Sequence, residues 1–86
     1  MTSQSTEELR VELIRLSGLS PLLAPGVLRR ALSDCGVAHE SATPRDYMKA
    51  LPKLEARMRA YLQPDDVEQR LLAIRRLLER NGGGRI

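Results

Sequence analysis

The chain has 86 residues, too few for a dinucleotide-binding fold, a closed barrel or a two-domain enzyme. Apolar residues make up 42% of it, yet Tyr47 and Tyr61 are the only aromatics, so any core has to be aliphatic and is carried mainly by fifteen Leu. Fourteen basic side chains against eleven acidic ones leave a net charge of +3, which favours anionic partners but falls far short of a histone-like excess.

A chain this short buries only roughly 60–65% of the surface it exposes when unfolded, which leaves little room for an enzyme cleft with its own supporting shell. Cys35 is the single cysteine, so no intramolecular disulfide and no multi-cysteine zinc site is expected. The first residues, Met1-Thr2-Ser3-Gln4-Ser5, are polar and contain no apolar run of the kind a secretory signal needs. No apolar stretch approaches a membrane span, and the chain reads as cytoplasmic.

In chain order, the first helix opens with Ser5 as N-cap and Glu8 three residues on. Leu9, Leu13 and Leu16 then recur at helical spacing, and Ser17-Gly18 ends the run, with Leu19 placed to fold back on Ile14. The spacing predicts a helix over 6–17, after a disordered 1–5. Ser20-Pro21 starts a short turn at 21–24, because Pro25 biases Ala24 away from helical geometry. A second helix is expected over 25–34, with Val27, Leu28, Ala31 and Leu32 inward and Gly36 as its stop.

After a polar connection at 38–42, Thr43-Pro44-Arg45-Asp46 restarts the helix as cap, first-turn proline and dipole-facing carboxylate. Tyr47, Leu51, Leu54, Met58 and Tyr61 follow at steps of four, three, four and three, which predicts one seam over 44–62. Pro52 lies inside it and has no N–H for the Met48 carbonyl, so this helix is expected to be kinked or split there. The last helix is expected over 64–80, opened by Pro64-Asp65-Asp66 and striped by Val67, Leu71, Ile74 and Leu78. The three glycines 82–84 begin a flexible tail over 82–86. No segment alternates like a strand, so the expected fold is an all-α bundle of about four helices, one domain over 6–81.

Chemistry-bearing clusters are few. Cys35, His39 and Glu40 are metal-ligand types, but Gly36 breaks the helical spacing between them and no fourth ligand is in view. Asp65, Asp66 and Glu68 read as helix N-terminal charges and not as a calcium loop, which needs alternating oxygens and a turn glycine. A helix-turn-helix is disfavoured because some nine residues separate the second and third helices, against the three or four of that motif. No phosphate loop, nucleophile elbow or zinc-protease motif occurs.

Charge is uneven along the chain. Residues 41–62 carry five basic and two acidic side chains, a net of +3, whereas residues 1–20 are at −1. Lys49, Lys53 and Arg57 lie four apart on one helix face, and Arg75 and Arg76 add a second cluster. Leu22, Leu23, Val11 and Leu72 are apolar residues beyond what the inner stripes need.

These features point to a non-catalytic protein-interaction or regulatory module, an adaptor that binds a partner protein or forms a homodimer through surplus apolar surface. The partner-binding candidates are Leu22, Leu23, Lys49, Lys53, Arg57, Arg75 and Arg76. The alternative is a nucleic-acid-binding regulator using the Arg/Lys face of the third helix. No cofactor, metal or small-molecule ligand is expected.

Overall fold

The computed structural model describes residues 6–82 and places four α-helices: α1 over Thr6–Ser17, α2 over Ala24–Asp34, α3 over Pro44–Met58 and α4 over Pro64–Arg80. A single 3₁₀ turn, His39–Ser41, lies in the connection between α2 and α3. The described residues contain no strand, so the fold is the small all-α bundle that the periodicity predicts. The Ser5 cap, the expected disorder over 1–5 and the tail beyond Gly82 lie outside the described residues.

Neighbours in the chain are neighbours in space. α2 packs on α3, α3 on α4, and α4 closes the ring against α1. Each helix turns its apolar stripe to one shared core: Leu9 and Leu13 from α1, Leu28 and Leu32 from α2, Leu54 and Met58 from α3, Ile74 and Leu78 from α4. Every one of these is almost completely buried, and each contributes about 2 kcal/mol in transfer free energy. The radius of gyration, 11.8 Å, is close to the ~12 Å of a folded chain of this length.

The helix ends explain how the connections are aimed. Ser17, fully buried at the end of α1, donates from Oγ to the Ile14 carbonyl at 2.7 Å and accepts from the Leu19 N–H at 3.2 Å. Gly18 follows at φ 72°, in the left-handed region where a Cβ is strained, and turns the chain so that Leu19 is buried. At the end of α2, Gly36 has φ 77°; its N–H reaches the Ser33 carbonyl at 2.9 Å while Val37 reaches Leu32 at 3.0 Å. That is the double hydrogen-bond pattern of a Schellman stop. At the start of α3, Thr43 and Asp46 exchange hydrogen bonds, 3.2 Å to Thr43 Oγ1 and 2.9 Å to Asp46 Oδ2, a complete capping box.

Two expected boundaries need correction. α2 begins at Ala24 and not at Pro25. Ser20 caps the preceding turn: its Oγ accepts from Leu22 and Leu23, and its carbonyl accepts from Leu23 and Ala24. The turn therefore runs into the helix with Leu23 already helical (φ −90°, ψ −38°), which outweighs the bias Pro25 places on Ala24. α3 ends at Met58, not at residue 62. The chain tightens into i→i+3 hydrogen bonds, Ala60 to Arg57 and Tyr61 to Met58, and Gln63 becomes extended before Pro64. The seam loses phase there: Tyr47, Leu51, Leu54 and Met58 are buried, but Tyr61 is not. Pro52 does not split α3, which runs unbroken through it with the proline on an exposed flank.

Candidate functional site

Five large apolar side chains among the described residues stay in solvent: Leu22 at 93% exposure, Val11 at 59%, Tyr61 at 55%, Leu72 at 50% and Leu23 at 43%. The four aliphatic ones are those the sequence leaves over once the inner stripes are filled. Three of the five, Leu22, Leu23 and Tyr61, meet around one open groove of about 390 Å³ between α2 and α3. Val27 also lines it, and Arg30 and Arg57 stand at it.

The two boundary shifts build this groove. The Ser20-capped turn holds Leu22 and Leu23 ahead of α2, where no helix covers them. The tightened turn after Met58 swings Tyr61 out of the seam toward the same side. Arg57 Nη2 donates to Asp34 Oδ2 at 3.0 Å, tying α3 to the end of α2 and fixing the groove's polar edge.

The basic row continues this face. Lys53 and Lys49 lie one and two turns before Arg57 on the same face of α3, a run of about 12 Å at the helical rise. Both are exposed, and among the described residues neither they nor Arg30 form an ion pair. Three of the seven candidate residues, Leu22, Leu23 and Arg57, thus line one groove, and Lys53 and Lys49 extend the Arg57 row along α3 away from it.

Arg75 and Arg76 do not join them. Arg75 stands with Met48, Pro52, Glu55 and Leu71 in a second depression, on the flank of α3 that faces α4. Leu72 lies beside it, with Glu68 and the Glu55–Arg59 pair, whose Nη2–Oε2 separation is 2.6 Å. This second surface is mixed in charge. Arg76 is exposed on α4 and lines neither depression. Val11 stands apart on α1, among Glu7, Glu8 and Glu12.

The remaining polar clusters hold local structure. Cys35 Sγ points at the Lys49 carbonyl, 3.8 Å away, and His39 Nδ1 lies 3.5 Å from Glu40 Oε1. Asp66 accepts from Arg70 Nε at 3.0 Å. Among the described residues no three Cys, His, Asp or Glu side chains converge as a metal cage would require. The Tyr47 hydroxyl is buried with no hydrogen-bond partner among the described residues, as is Arg10 Nε. Burial raises the Tyr47 pKa above the usual tyrosine value, and the nearby positive charge of Arg10 works in the opposite direction.

Sequence reasoning missed Tyr61 and Arg30 as groove residues. Pro64 carried a signal for the first: the residue before a proline avoids helical geometry, so the seam has to end before Gln63. Arg30 stands four residues before Asp34 on α2, the stripe that Asp34 turns toward Arg57. No protein-family model, no curated protein and no solved structure matches the chain. No helix of the described residues is long and apolar enough to cross a membrane.

Proposed function

We propose that this chain is a non-catalytic protein-interaction module of a regulatory kind, which docks a partner protein on the face between α2 and α3. The observation that carries this reading is the meeting of Leu22, Leu23 and Tyr61 at one groove. A small domain that buries its other long aliphatic stripes yet leaves three large apolar side chains together in water marks a binding surface. The groove is open, whereas a small-molecule site encloses most of its ligand. A nucleic-acid role has weaker support, because Lys49, Lys53 and Arg57 lie on one flank of α3 and Arg75 on the other.

Site-specific photo-cross-linking in the native cell tests this reading. A benzophenone side chain at position 22 is expected to trap a protein, and one at Glu79 on the exposed side of α4 is not. Absence of any adduct from position 22, with the variant folded, overturns it.

A further inference from the structure

Resting on the reading of the α2–α3 groove as a docking face, we infer that its occupant is an amphipathic helix with two or three apolar anchors and a flank of carboxylates. The anchors follow from Leu22, Leu23 and Tyr61, which cluster at one end of the surface. The carboxylates follow from the charges along its edge. Arg30 lines the groove, and Lys53 and Lys49 continue the row from Arg57 along α3; all three are exposed cations with no ion-pair partner among the described residues, and Asp34 beside them is already engaged by Arg57. Lys49, Lys53 and Arg57 repeat every four residues, about 6 Å apart along the axis. Acidic residues at the same interval on a helix lying along α3 match that repeat. Recognition of this type places apolar anchors in a groove and sets orientation by charge at its rim.

A second copy of the chain fits less well. Groove on groove about a two-fold axis brings the Arg30 edge of both copies into one interface with no free carboxylate from the groove to meet it, and like charges brought together at an interface oppose association. The acidic face of α1 has the right sign, but Val11 is the one large exposed apolar side chain it brings against Leu22, Leu23 and Tyr61.

The test uses the full chain, isotope-labelled, and three designed helical peptides of about four turns. The first carries a leucine seam flanked by glutamates; the second replaces the glutamates with lysines; the third keeps the glutamates and replaces the leucines with glutamines. The first is expected to shift the amides of Leu22, Leu23, Arg30, Lys53, Arg57 and Tyr61, with at least tenfold tighter binding than either of the others. A chain with Arg30→Glu, Lys49→Glu and Lys53→Glu, checked for an unchanged melt, is expected to reverse the preference between the first two peptides. The inference is overturned if the lysine or glutamine peptide binds as well as the first, if the shifts map to α4, or if no peptide binds. It is also overturned if a DNA duplex binds this face more tightly than the first peptide, or if sedimentation finds a dimer that Leu22→Ser with Tyr61→Ser abolishes. Failure of the peptides with a retained cross-link at position 22 removes this inference and leaves the interaction-module reading standing; loss of both removes the two together.

Discussion

Arg70 of α4 closes the C-terminal end of α1 by donating from Nη1 to the Leu16 carbonyl at 3.2 Å, 54 positions away in the chain. Its Nε is held at 3.0 Å from both oxygens of Asp66, one turn earlier on α4. The guanidinium lies over Gly18, so close that a Cβ there would stand 2.3 Å from Arg70 Cζ. Helix carbonyls at a C-terminus lack intrahelical donors and carry partial negative charge, so a guanidinium from the last helix is a fitting cap for the first.

Gly18 is therefore required twice, by its φ of 72° and by the space Arg70 fills. Gly18→Ala is expected to destabilise the fold by about 1–3 kcal/mol in denaturant melts. Arg70→Ala alone is expected to cost about 1 kcal/mol, through one partly buried, charge-assisted hydrogen bond. The two losses should be less than additive in the double variant, because removing Arg70 removes the crowding but not the backbone strain. Full additivity would show that the two residues do not interact.

Pro52 lies in an undivided α3, so it interrupts the helix without starting another. Pro52→Ala restores the N–H that the Met48 carbonyl lacks. Thermal melts are expected to rise, by less than the ~3 kcal/mol that separates Pro from Ala in an unadapted helix interior, since the neighbours have adjusted and Pro also restricts the unfolded chain. A loss of more than about 1 kcal/mol contradicts the undivided helix.

The helices were legible because their stops and starts have local chemistry. Thr43 with Asp46, and Gly36 with Val37, each satisfy specific orphan groups within a few residues, so the sequence alone locates them. The α4 stripe of Val67, Leu71, Ile74 and Leu78 keeps its phase throughout and was legible for the same reason. The groove was only half legible. Leu22 and Leu23 stood out as surplus, but Tyr61 continued a heptad-like rhythm, and rhythm does not report where a helix tightens and loses phase. The separation of Arg75 from Lys49 and Lys53 depends on how α3 and α4 face each other, which no single stretch encodes. The Arg70 cap was invisible for a related reason: the carbonyl it serves lies 54 positions away in the chain.

Tyr47 is 4% exposed and its hydroxyl has no partner among the described residues, so the oxygen loses hydration without a hydrogen bond from them in return. Tyr47→Phe is expected to be neutral or stabilising by up to about 1 kcal/mol at neutral pH. The raised folded-state pKa adds a pH signature. Below the unfolded value the phenol is neutral in both states and its preference for the folded chain is fully present. As pH climbs past 10 the unfolded chain ionises first, and stability falls until the folded pKa is passed. Melts of the parent chain are expected to decline across that window more steeply than those of Tyr47→Phe. Parallel declines would contradict the assignment.

Leu22 and Leu32 are expected to respond very differently to substitution. Leu22→Ser sits in solvent and should change stability by no more than about 0.5 kcal/mol. Leu32→Ala empties a fully buried site and should cost about 2–5 kcal/mol. Denaturant titrations of the two variants check the division between core and docking face.

Docking of a partner on the α2–α3 face is read from the amide spectrum of the labelled chain in extract of its native cell, compared with buffer. Selective broadening of Leu22, Leu23, Gly26, Arg30, Arg57 and Tyr61, removed by Leu22→Ser with Tyr61→Ser, is the result expected here. Broadening confined to Leu71, Leu72, Arg75 and Arg76 of α4, or an undisturbed spectrum, would contradict it.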